Sequence, residues 1–161
     1  ATELGLEPAM QFESVLIDIK TVAAGESIGY GSLYTCQQDK TVGIVAAGYG
    51  DGYPRHAANG TPVWINGASC DLLGRVSMDS LCIDLSDIKA EIGDRVVLWG
   101  MELSVDLVAR SSDTISYELF CAAGACVRLK ILYFSFDNKP TCLRFYSETG
   151  LFSVQNMTNI S

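Results

Sequence analysis

The chain has 161 residues, 48% of them hydrophobic, and carries a formal net charge of −8 with a single histidine. That length suits one domain of ordinary size, and the apolar content is enough for a packed core, which excludes wholesale disorder. The negative balance argues against a nucleic-acid partner, which needs a basic face, and against adsorption to an anionic membrane surface.

Residues 1–12 contain Gly5 and Pro8 and show no clear period, so they read as a connecting segment. Residues 13–19 are partly alternating and rich in β-branched side chains, which predicts a strand. A turn over 22–26 leads to an extended stretch, 27–34, interrupted by glycines. Residues 41–47 predict a short buried strand that stops at the glycine cluster Gly48, Gly50, Gly52. The run 61–65, the dipeptide Asn66-Gly67 and the run 69–73 predict a β-hairpin, because Asn-Gly suits the tight turn that matches strand twist. Two more strands are predicted over 81–85 and 95–99, with a turn at 91–94 between them.

Helical spacing appears only late. Ser104 is placed as an N-cap, with Val105 and Val108 on one side of a short helix. Residues 115–123 predict a second short helix or turn. Residues 131–136 predict a last strand, and from Asp137 onward the chain mixes polar, aromatic and glycine residues without a period. Many brief strands joined by tight turns imply a mainly β fold, an antiparallel barrel or sandwich with one or two short helices. No βαβ unit is long enough for a parallel sheet.

No apolar run reaches the ~18–20 residues that a membrane-spanning helix needs, and the first residues carry neither a basic leader nor an apolar signal region. A cytoplasmic protein is the expectation. The six cysteines form no Cys-x-x-Cys pair, and with His56 as the one histidine they speak against a zinc site. Reduced thiols acting as small hydrophobes are expected.

Four motifs stand out. They are Ile28-Gly29-Tyr30-Gly31, Gly48-Tyr49-Gly50-Asp51-Gly52-Tyr53-Pro54-Arg55, Gly74-Arg75-Val76-Ser77-Met78-Asp79 and Thr114-Ile115-Ser116-Tyr117-Glu118. Each sets a phenol or a guanidinium beside a short turn at the end of an apolar run. A tyrosine is a poor base at its ordinary pKa near ~10, and becomes useful where a neighbouring cation stabilises the phenolate. The glycine cluster at 48–52 is not a dinucleotide loop. Such a loop opens a helix whose amides hold the phosphate, whereas Tyr53-Pro54-Arg55-His56 and Asn59-Gly60 break any helix here.

In order, spacing and residues these motifs resemble the C-terminal domain of alanine racemase, over roughly residues 4–127. The resemblance implies a barrel-like antiparallel β-domain over 13–133. Residues 1–12 become the end of a linker from an absent N-terminal (β/α)₈ barrel, and 134–161 a divergent tail open to disorder. It implies an isomerase that interconverts L- and D-alanine for the cell wall by two-base α-proton transfer on an amino acid bound to pyridoxal 5′-phosphate. Tyr30 matches the base that faces the α-hydrogen of L-alanine, working across a homodimer in the partner subunit's site. Met78 matches the residue whose backbone meets the substrate carboxylate, and Tyr117 the phenol that binds the cofactor phosphate. Tyr49, Arg55, Arg75 and Ile115 match positions lining the narrow entryway.

One part of the chemistry is missing from the sequence. Racemisation with this cofactor needs a Schiff-base lysine that also serves as the second base. None of Lys20, Lys40, Lys89, Lys130 and Lys139 lies in anything like the family's Lys-Ala-Asn-Ala-Tyr-Gly segment. The chain by itself is therefore expected to be inactive, with cofactor held covalently by the barrel. Two other readings stay open, a non-catalytic β-domain (a remnant or dimerisation module) and an unrelated hydrolase. The second lacks a Gly-x-Ser-x-Gly elbow, and His56 alone would have to serve any triad.

Overall fold

The computed structural model describes residues 8, 10–126, 128–132 and 142–146, with side chains described for 8, 10–29 and 31–123. Its organising element is β1 (Met10–Val22), a strand long enough to take part in two sheets. The first part of β1 pairs antiparallel with β8 (Arg95–Trp99), Phe12 opposite Trp99 and Val15 opposite Arg95. The remainder pairs antiparallel with β4 (Lys40–Val45), Leu16 opposite Val45 and Val22 opposite Lys40. Register shifts between Phe12 and Glu13 and between Leu16 and Asp18 bend the strand, so that one ladder hands over to the other.

The other strands complete a ring. β4 pairs with β7 (Leu81–Asp84), β7 with β6 (Ala68–Leu73), β6 with β5 (Pro62–Ile65), and β5 with β8. Every pairing is antiparallel, and β1 joins the two ends, which closes a six-stranded barrel. Closure removes the exposed sheet edges that an open sheet of this size would present. β6 is shared in the same way as β1, since Ala68 to Asp71 pair with β5 while Leu72 and Leu73 pair with β7.

Outside the ring, β2 (Ser27–Ile28) and β3 (Tyr34–Thr35) form a two-residue ladder around a 3₁₀ turn at Tyr30–Ser32. Helices α1 (Val105–Ser111) and α2 (Ser116–Cys126) follow β8. Two more strands, β9 (Arg128–Leu132) and β10 (Cys142–Tyr146), pair with each other, and β10 runs parallel to β1 over Met10 to Glu13. Among the described residues no helix is long and apolar enough to cross a membrane.

The elements predicted over residues 13–123 are present, with three differences; residues 133–136 of the strand expected over 131–136, and 134–141 and 147–161 of the expected tail, lie outside the described residues. β1 begins at Met10 rather than Glu13, because Gln11 and Phe12 are buried beneath flanking strands on both sides. The expected extended stretch at 27–34 is broken by the 3₁₀ turn, with Gly29 and Gly31 at φ 79° and 76°. β10 lies inside the segment expected as a divergent tail, and its pairing with β1 is long-range, which no local period reports. The hairpin is as predicted, with Asn66 and Gly67 at φ 49° and 84° between β5 and β6.

All six barrel strands point apolar side chains inward, among them Leu16, Val45, Val63, Leu72, Ile83 and Leu98. One end of the barrel is closed by aromatic packing. Phe12 meets Trp99 edge-on with ring centres 4.8 Å apart, and Tyr53 stacks on Trp99 at 5.9 Å and 17°. Val108, Ala109, Leu119 and Ala123 lay the two helices on the same core. Ser104 caps α1 as its sequence implies, its hydroxyl accepting from the Asp106 amide at 3.3 Å. The Ser116 hydroxyl donates to the Asp106 carboxylate, tying the start of α2 to α1. A buried carboxylate, Glu13, accepts from Gln11 Nε2 and from Arg95 Nε, both at 2.6 Å. Such a charge is tolerated only because it is paired and hydrogen-bonded.

The turn that starts β8 is held by Asp94, whose carboxylate accepts from the Glu91 amide at 2.8 Å and from Asn66 Nδ2 at 2.6 Å. These bonds favour the charged form and hold the Asp94 carboxyl below its ordinary 3.8. A depressed folded-state pKa stabilises the fold above the unfolded value, and that contribution fades as pH falls through the folded one. Asp94→Ala should therefore lower the urea midpoint at neutral pH, with the gap from the parent closing below about pH 4. A gap that does not change with pH in urea titrations would refute the assignment.

Candidate functional site

Strand register brings the four motifs to one end of the barrel. Val45, Leu81 and Leu73 lie at the same level, because Val45 pairs with Leu81 and Leu73 with Cys82. The Gly48–Arg55 loop leaves β4 there, and the Gly74–Asp79 loop joins β6 to β7 there. The loops then touch through bare backbone. The Tyr49 amide donates to Ser77 O at 3.0 Å, and the Gly50 amide to Met78 O at 2.9 Å. A Cβ on Gly48 would lie 2.3 Å from both of those carbonyl oxygens, so no larger residue fits.

The remaining two motifs attach by the same device. A Cβ on Gly29 would come within 2.9 Å of the Arg75 amide nitrogen, and one on Gly74 within 2.6 Å of Ile28 O. The Tyr30 motif and the Arg75 motif are thus in backbone contact. Gly52, left-handed at φ 93°, would place a Cβ 2.6 Å from Ala122 O in α2. That close approach seats the Gly48–Arg55 loop on the helix whose first turn holds Tyr117. Asp51 fixes the loop from within, its Oδ2 accepting from the Gly48 amide at 2.9 Å.

The side chains fan outward from this backbone cluster. Tyr117 is 77% exposed, Ile115 64%, Met78 56% and Tyr49 40%, a concentration of large apolar groups that a barrel end does not need for folding. Tyr49 and Arg55, both matched to the entryway, meet directly, with the guanidinium carbon 5.7 Å from the ring centre. Arg75 is exposed. Among the described residues no backbone partner takes the Met78 amide. The backbone of Tyr30 opens the 3₁₀ turn immediately after Gly29, and its side chain lies outside the described residues. A cavity of about 190 Å³ lies between the Gly48–Arg55 loop and α2, lined by Tyr49, Tyr53, Arg55, His56, Glu118 and Leu119 among others. A larger, open depression of about 690 Å³ lies at the opposite end, around Asn66, Lys89 and Asp94, away from every motif.

Tyr53 behaves differently from its neighbours in the same motif. It is fully buried, its hydroxyl has no hydrogen-bond partner among the described residues, and burial pushes its phenol above the ordinary range, with Cys70 adding to the shift. It therefore serves as an anchor under the loop rather than as a proton carrier. Sequence reasoning gave no role to Tyr53, Asp51 or Asn59. The Gly48-to-Asp51 spacing, three residues apart as in a capped turn, was the signal available for Asp51. The cysteines described, Cys36, Cys70, Cys82 and Cys121, are free thiols, and burial pushes Cys70 up to about 12, the charges of Asp71 and Asp84 adding to it.

The sequence model of the family "Alanine racemase, C-terminal domain" matches residues 9–131, which include all four motifs. The chain belongs to the alanine racemase family. The alanine racemase of Alcanivorax borkumensis is 54% identical over 121 residues, covering 75% of this chain and 34% of that protein. The crystal structure of the biosynthetic alanine racemase from Pseudomonas aeruginosa aligns with a TM-score of 0.74 and 45% identity, covering 91% of this chain and 37% of that one. The alanine racemase of Bartonella henselae, solved with covalently bound pyridoxal phosphate, aligns with a TM-score of 0.66 and 26% identity, covering 84% of this chain and 34% of that one. The chain thus spans about a third of the length of the racemases it matches, and its barrel is the racemase C-terminal domain.

The residues present suit part of the racemase cofactor's needs. Tyr117 offers an exposed phenolic donor at the start of a helix, fitting a phosphate acceptor. The described lysines do not suit the Schiff base. Lys40 is paired with Asp84 at the opposite end of the barrel, Lys20 with Asp18 at 3.2 Å, and Lys89 borders the depression beside Asn66.

If the loops hold one another by backbone contact, two glycine substitutions should part company. Gly67→Ala, at φ 84° with nothing within 4 Å, should cost only the strain of a left-handed residue, roughly 1–2 kcal/mol. Gly48→Ala must force the loops apart and lose the bonds to Ser77 and Met78, about 2–4 kcal/mol. Urea unfolding of the two variants measures the difference, and equal losses would mean that the loops have slack.

Proposed function

We propose that this chain forms the tyrosine-bearing side of an alanine racemase active site, completed by a (β/α)₈ domain that supplies the lysine. The observation that carries the proposal is the convergence of all four motifs on one barrel end, fastened to one another or to α2 through backbone, with Tyr49, Arg55, Arg75, Met78, Ile115 and Tyr117 left exposed. A domain that needed these residues only for packing would bury them. The structures of family members, one with covalently bound pyridoxal phosphate, support the same reading.

Pyridoxal phosphate, when bound, withdraws electrons from the α-carbon of an amino acid and so acidifies its α-hydrogen. Tyr30 takes or returns that proton on the face presented by L-alanine, across the interface of a homodimer. Racemisation requires a second base on the opposite face; Lys20, Lys40 and Lys89 do not suit it, and the lysine of the other domain is the base assigned to it. The Met78 amide fixes the substrate carboxylate, which holds the α-hydrogen in line with the phenol. Tyr117 donates to the cofactor phosphate. Tyr49 with Arg55, Arg75 and Ile115 line the entryway, where cationic groups favour a carboxylate-bearing substrate over a neutral one.

The test joins this chain to the N-terminal domain of the Alcanivorax borkumensis relative and follows D-alanine formation from L-alanine. The fusion should turn over, whereas the chain by itself with pyridoxal phosphate should form no D-alanine. Tyr30→Phe in the fusion should lower kcat by at least about a hundredfold, in the range expected for loss of a general base. Undiminished turnover in that variant would remove Tyr30 from the reaction.

A further inference from the structure

We propose that Asn59, outside all four motifs, is a positioning residue that sets the place of Tyr30 through the backbone of Gly74; this rests on the role given to Tyr30 above. Asn59 sits in the loop between the Gly48–Arg55 motif and β5, and the backbone on both sides of it is clamped. The Ala58 amide donates to Ser111 O at the end of α1 at 3.1 Å, and the Gly60 amide donates to Leu72 O in β6 at 2.9 Å. Thr61, fully buried, returns both its amide and its hydroxyl to Ala58 O, at 3.1 and 2.7 Å. Asn59 is thereby fixed relative to a helix and a barrel strand at once.

From that fixed point its Oδ1 accepts from the Gly74 amide at 2.5 Å. Gly74 is buried and left-handed, at φ 71°, the first residue of the loop that contacts the Tyr30 motif. Its Cα lies 3.5 Å from the point where a Cβ on Gly29 would stand, and its own Cβ would fall 2.6 Å from Ile28 O. The atoms nearest to each of these glycines across the contact are backbone, so little is there to absorb a displacement. A shift of Gly74 passes directly to Ile28 and Gly29, and Tyr30 is the next residue. Without Oδ1 the buried Gly74 amide loses this acceptor, and the left-handed turn loses its outside restraint. Proton transfer is steep in donor–acceptor geometry, so a misplacement well short of 1 Å is enough to slow it.

The experiment uses the barrel-containing enzyme with Asn59→Ala, Asn59→Asp, Asn59→Gln and Tyr30→Phe, and α-protonated and α-deuterated alanine as substrate in both directions. Asn59→Ala should lower kcat about tenfold with little change in KM. It should also raise the primary deuterium isotope effect for L-alanine without raising that for D-alanine, because only the tyrosine-facing transfer is slowed. Asn59→Asp keeps an acceptor in place and should recover kcat to within about threefold of the parent, whereas Asn59→Gln, which moves the acceptor by one methylene, should behave like alanine. If Asn59→Ala does not fold, the Asp and Gln pair carries the comparison. An unchanged kcat overturns the proposal, as does a lower kcat with both isotope effects unchanged, which reports fewer folded molecules. Tyr30→Phe with full activity indicts the base assignment instead, so the two failures are distinguishable.

Discussion

Backbone touching backbone, with no side chain in between, is the constraint on which the rest of this molecule depends. Carbonyls of Ser77 and Met78 stand where a Cβ of Gly48 would be, Gly74 stands against Ile28 and Gly29, and Gly52 against Ala122 and Ala123. Contacts of this kind leave little play, because main-chain atoms have no rotamers through which to yield. Loops that are distant in sequence are therefore fixed closely relative to one another. The barrel makes this possible. Its closed ring brings the ends of β4, β6 and β7 to one level, and the shared strand β1 prevents the ring from opening.

Once the backbone is settled in this way, side chains are free to serve chemistry rather than packing. The tyrosines of the site show the division. Tyr53 is buried against Trp99, burial pushing its phenol above the ordinary range, and it holds the loop down. Tyr49, four residues beyond the end of β4, is partly exposed and carries Arg55 on its face. Tyr117 stands almost free at the start of α2. One residue type thus has three fates, and burial selects among them, because removing a phenol from water penalises its ionised form. Tyr117, Ile115, Met78 and Tyr49 leave large apolar groups exposed together at this end of the barrel.

Much of the fold was legible in the sequence where the signal was local. The Asn66-Gly67 turn, the strand 95–99 and the Ser104 cap each rest on the chemistry of a few adjacent residues, and each stands as read. The motifs holding Tyr49, Arg55, Met78 and Tyr117 were legible as local patterns, and the structure leaves these four side chains exposed at one end of the barrel. Less legible was anything set by partners far along the chain. The early start of β1 comes from cover by β8 and β10, and the 3₁₀ turn at Tyr30–Ser32 was hidden behind an extended-looking composition. Asn59 read as no more than half of a turn dipeptide, since its acceptor is needed by an amide fifteen residues away.

By itself the sequence determined which residues could do chemistry and which short segments could be strand, turn or helix, because side-chain type and local backbone preference are properties of neighbours in the chain. Only the tertiary structure decided that the ring closes, that the motif loops meet, and that Tyr53 is an anchor while Tyr117 faces outward. Those outcomes depend on pairings between distant strands and on which atoms water can still reach, and neither is written in any short stretch of residues.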